Sequence, residues 1–97
     1  MERIWLVMVE IVAETDSSSE PKAGFMNITT WADSRRVASS KIERYLNSIG
    51  WQLVQVERAD VIDEDFRCGD DVADMIERTR NNMNAIILGT FHTYKTN

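Results

Sequence analysis

Residues 25–57, FMNITTWADSRRVASSKIERYLNSIGWQLVQVE, decide the fold, because the hydrophobic period changes twice within them. From Phe25 to Trp31 the chain alternates, with Phe25, Asn27, Thr29 and Trp31 on one side and Met26, Ile28 and Thr30 on the other, which is the period of a strand. Asp33 or Ser34 then offers an oxygen to cap a helix. Behind it Val37, Ala38, Ile42, Tyr45, Leu46 and Ile49 recur at helical spacing until Gly50 ends the pattern. Trp51, Leu53, Val54 and Val56 return the chain to strand, with Val61 and Ile62 beyond a polar interruption at Glu57-Arg58 that predicts a bulge or bend near Ala59. The outward helix face carries Arg35, Arg36, Lys41 and Arg44 against Glu43, a basic patch that reads as a solvated helix face or the complement of a carboxylate edge.

Working towards the amino terminus, Ile4 to Ala13 is apolar on both parities, the mark of a strand covered on both faces. The run is too short to span a bilayer, and its Met1-Glu2-Arg3 start suits a buried strand better than a secretory signal. Glu14 to Gly24, rich in Ser with a Pro and a Gly, predicts a mobile loop.

Towards the carboxyl terminus, Gly69 with Asp70 or Asp71 opens a second helix, with Val72, Met75, Ile76, Thr79 and Met83 on one stripe and aspartates at its positive end. Ala85 to Tyr94 is a last strand. The order ββαβαβ predicts a single α+β domain over 1–97, a two-layer sandwich with two helices on one face of a four-stranded sheet, a ferredoxin-like variant. Both helices on one face leave the other face to be covered, and a homodimer through that open face or through a shared strand is expected. The three tryptophans, Trp5, Trp31 and Trp51, are expected to pack against the helices.

With 97 residues the chain buries only about 60 to 65% of its unfolded surface, so its core is small. Sixteen acidic residues against eleven basic ones give a net charge of -5, which opposes binding to a phosphate backbone, and no nucleic-acid partner is expected. A single cysteine, Cys68, without zinc-type spacing, suits a reducing, cytoplasmic setting, and no membrane association is expected.

Charge concentrates between Asp60 and Asp74, where Asp60, Asp63, Glu64, Asp65, Asp70, Asp71 and Asp74 surround one arginine, Cys68 and Gly69. The spacing does not fit an EF-hand, since no frame puts glycine sixth and glutamate twelfth, and neither metal nor cofactor is expected. A nucleophilic Cys68 needs a base, and His92 is the only histidine, so any such pair depends on the fold uniting them. His92, Thr90 and Tyr94 share one strand face. Glycine-rich phosphate loops and hydrolase elbows are absent. The leading expectation is a small acidic binding or regulatory protein that holds a basic protein surface on its 60–74 edge, as an inhibitor or immunity-type partner does. The alternative is a small dimeric enzyme or ligand-binding protein with a pocket at His92, Tyr94 and Cys68. No catalytic residue is assigned.

Overall fold

In a computed structural model that describes residues 2–13, 23–63 and 66–93, the chain folds in the order β1 (Arg3–Ala13), β2 (Ala23–Ala32), α1 (Arg35–Ser48), β3 (Trp51–Val61), α2 (Asp70–Arg80) and β4 (Ile86–Thr93). The order agrees with the expected ββαβαβ. Of the loop expected at 14–24, residues 14–22 lie outside the described residues, while Ala23 and Gly24 belong to β2.

Local chemistry places the boundaries. Ser34, in extended conformation, accepts the Val37 N–H on its Oγ at 3.2 Å and starts α1. Gly50 follows the last turn with φ +91, a left-handed conformation that glycine adopts without steric cost, and its N–H reaches the Asn47 carbonyl at 3.4 Å. α2 begins at Gly69 without a side-chain cap; Asp70 and Asp71 in its first turn complement the helix dipole instead. It ends at Arg80, so Met83 is not on the α2 stripe and is 58% exposed.

The sheet is antiparallel throughout, in the order β3-β1-β2-β4. β1 and β2 pair as a hairpin over ten residue pairs, from Arg3↔Ala32 to Val12↔Ala23. On one face Val7, Val9 and Ile11 of β1 join Met26, Ile28 and Ala32 of β2 beneath Ala38, Ile42 and Leu46 of α1. Trp5, Trp51, Leu53, Leu88 and Phe91 pack around this core.

The expectation of two helices on one face is corrected by the side chains of β2. Neighbouring residues in a strand point to opposite faces. Ile28 lies in the α1 core, whereas Thr29 binds α2 through Met75 and Thr79, and Trp31 donates its indole N–H to the Thr79 carbonyl at 2.7 Å. The two helices therefore sit on opposite faces of one sheet, and the ferredoxin-like layering does not apply. The apolar second face of β1 finds its partner within the chain at Ile4, which is 5% exposed, rather than only in another subunit.

Buried threonines hold α2 down. Thr79 Oγ1 donates to the Met75 carbonyl at 2.8 Å, so the 2.6 Å contact between the two hydroxyls is satisfied with Thr29 as donor. Both threonines are fully buried, and an unpaired hydroxyl there would cost about 1 to 3 kcal/mol.

Two irregularities shape β3. Its register against β1 shifts between Met8 and Val9 and again between Glu10 and Ile11, leaving Glu57 and Val54 as extra residues. The expected bulge near Ala59 thus falls slightly earlier and is doubled. Val54, 53% exposed, sits on this edge strand, where bulges discourage pairing with another chain. In a flat sheet the edges β3 and β4 would lie about 14 Å apart, yet the rings of Trp51 and Phe91 meet at 5.0 Å and 54°. The edges curl together over α1's side. Gly24 permits this, since a Cβ there would collide with the His92 carbonyl oxygen and stand 2.8 Å from Thr93 Cα.

Candidate functional site

α2 covers only part of its face of the sheet. Its anchors are Thr29 and Trp31 on β2, and the neighbouring rows of β1 continue beyond them. Leu6 is flanked by Thr29 and Asp60, and Met8 by Asn27 and Arg58, so two apolar side chains of the central strand stand between polar ones from β2 and β3. Leu6, Met8 and Asn27 are half-buried. Phe66 and Arg67, in the segment leading to α2, complete the wall of a cleft of about 260 Å³. The N–H of Phe66 is held by the Asp63 carbonyl at 3.2 Å.

The charges in the cleft divide unequally. Arg58 Nη2 stands 3.1 Å from Asp60 Oδ2, so that pair is largely self-compensating. Arg67 is exposed and makes no ion pair among the described residues. Among the described residues the lining of the cleft therefore carries a surplus positive charge over an apolar floor, in a chain whose net charge is -5. A guanidinium presents a planar fork of donors suited to a carboxylate or phosphate, and Asn27 adds an amide that can donate or accept.

The residues singled out in the sequence are distributed differently. Asp60 faces the cleft already paired with Arg58. Asp63 is exposed beside Ile62 and Arg80 in a neighbouring shallow hollow. Glu64 and Asp65 lie outside the described residues, as does Tyr94. Asp70 and Asp71 are exposed in the first turn of α2, and Asp74 stands 3.8 Å from Arg78. Arg58, Arg67, Arg78 and Arg80 thus interrupt the acidic edge, which is less uniform than its sequence suggests.

Cys68 is exposed and borders a groove with Ile62, Phe66 and Ile76. Ile62 donates its N–H to Ile4 at 2.8 Å, whereas His92 pairs with Phe25, which lies opposite Glu10. Six residues of strand separate those rows, about 20 Å, so the groove of Cys68 and the row of His92 occupy opposite ends of the sheet. Cys68 and His92 are therefore not brought together, and Tyr94, the third residue of that expected site, lies outside the described residues. Among the described residues no three His, Cys, Asp or Glu side chains gather to hold a metal ion. No helix among them is long and apolar enough to cross a membrane.

Arg58, Leu6, Met8, Asn27 and Phe66 were not legible as site residues. Their convergence depends on a bulged register between β1 and β3 that no local pattern records. The one available signal was Phe66-Arg67, an aromatic and a cation inside an acidic run. The chain matches no protein-family model, no curated protein and no solved structure.

Proposed function

We propose that the chain is a binding module whose cleft takes a small ligand with an anionic group and an apolar body. The observation that carries this reading is Arg67, which has no ion-pair partner among the described residues and shares a cleft with Leu6, Met8 and Phe66. Arg67 receives the anion in bidentate fashion, Asn27 and the Asp60-held Arg58 orient its polar edge, and the apolar floor receives the body. The described lining offers no His, Cys, Ser or Lys, and its one carboxylate, Asp60, is held by Arg58, which favours binding over catalysis. At about 260 Å³ the cleft is smaller than the roughly 300–1,000 Å³ of drug-sized pockets, so the ligand is small.

The test is thermal unfolding against small aromatic and aliphatic carboxylates and phosphates, with their neutral amides and alcohols as controls. A ligand at a hundred times its Kd stabilises by about 2.7 kcal/mol, equivalent to a rise in Tm of roughly 10 °C or more in a domain of this size. Anions of the right shape raise the Tm of the parent protein and not that of Arg67→Ala. An unchanged Tm with every anion, or equal shifts in Arg67→Ala, overturns the reading.

A second reading, an acidic surface that holds a basic protein, draws on Asp70 and Asp71, exposed side by side at the head of α2 with no ion pair among the described residues. If anions leave the Tm unchanged while Asp70→Asn/Asp71→Asn loses a salt-sensitive protein partner, this reading replaces the cleft.

A further inference from the structure

The core of α1 is formed with β1 and β2 through Ala38, Ile42 and Leu46, and the helix leaves a gap between its flank and β4. There Tyr45 and Ile86 wall a hollow of about 380 Å³, rimmed by Lys41, Arg44 and Ser48. The rim is ordered: Lys41 Nζ donates to the Trp31 carbonyl and Ser48 Oγ to the Tyr45 carbonyl, each at 2.6 Å. Val37, one helical turn before Lys41, extends the apolar stripe, and Val37 and Tyr45 are each 37% exposed. The hollow is thus apolar at its base and cationic at its lip.

Charge across the molecule indicates what fits it. α1 holds Arg35, Arg36, Lys41 and Arg44 against Glu43, a net of +3. On the opposite face, Asp60 and Asp74 are paired with Arg58 and Arg78, which leaves Asp70 and Asp71 at the head of α2 exposed and with no ion pair among the described residues. Because α1 and α2 lie on opposite faces of the sheet, these two surfaces cannot meet within one molecule. They can meet between copies.

We infer that the α1–β4 hollow docks the acidic head of α2, Asp70 and Asp71, from a second copy of this chain. The contact joins two different surfaces, so it is heterologous and propagates head to tail instead of closing as a two-fold dimer. Arg44 meets the incoming carboxylates, the positive lip speeds the encounter, and salt weakens it. The contact is separate from the Arg67 cleft, so either can fail without the other.

Sedimentation velocity over a concentration series at low and high salt tests it. The parent protein forms dimers and longer species at low salt and dissociates at high salt. Arg44→Glu and Asp70→Asn/Asp71→Asn each lower the association constant at least about tenfold, with unchanged circular dichroism. Mixed together they recover association that stops at two subunits, since one supplies the acidic head and the other the intact hollow. A parent protein that is monomeric throughout, association that survives in Arg44→Glu, or a mixture that fails to recover dimers overturns the inference.

Discussion

Thr29 and Thr79 show how one pair of hydroxyls determines where a helix sits. Valine at Thr29 would satisfy the β pattern of FMNITTWAD equally well, but α2 would then lose a buried donor aimed at Thr79. Thr29→Val and Thr79→Val are each expected to cost about 1 to 2 kcal/mol in urea unfolding. The double variant should cost about 1 kcal/mol less than their sum, because removing both hydroxyls leaves neither buried alone. Strict additivity would mean that the 2.6 Å contact contributes nothing to docking α2. Trp31 adds to the same anchor through its indole N–H, a use of tryptophan that the sequence suggested only as packing against a helix. Arg67 illustrates the opposite case, a residue whose meaning depends on Leu6 and Met8, some sixty positions away, lying beneath it.

Among the elements, α1 was the most legible, since its cap, its apolar stripe and its terminal glycine are all local. β4 was the least constrained by its own sequence. Its end leans over β2 at Gly24, where the backbone of His92 and Thr93 occupies the space of a side chain, and this lets Phe91 reach Trp51. Gly24→Ala should destabilise the fold by roughly 1 to 3 kcal/mol and alter the near-ultraviolet circular dichroism of the aromatic contact. A loss below about 0.5 kcal/mol would show that the β4 end is free to move aside. The acidic edge was legible as composition, but its neutralisation by Arg58 and Arg78 required the register of β3 and the turn of α2 to be known.

For the whole molecule, the sheet has two unequal sides. α1 is held by Ala38, Ile42 and Leu46, all fully buried in a core that spans β1 and β2, whereas α2 rests on Met75, Ile76 and Thr79 over part of its face. Amide hydrogen exchange should therefore be slowest in β1 and in the buried turns of α1, with α2 exchanging through a local opening of lower free energy. Equal protection in both helices would contradict this asymmetry. The same two-sidedness keeps the basic helix and the acidic segment apart and exposes the cleft that α2 leaves uncovered. The sequence by itself determined the element order, a start of α1 at Asp33 or Ser34 and its end before Gly50, because capping and periodicity act over a few residues. It also showed that β1 is apolar on both parities. Only the tertiary structure decided that α2 covers the second face, and that Arg58 and Arg67 converge on Leu6 and Met8. Those outcomes rest on long-range pairing, in which each extra residue of a bulge moves the following side chains to the other face of the sheet.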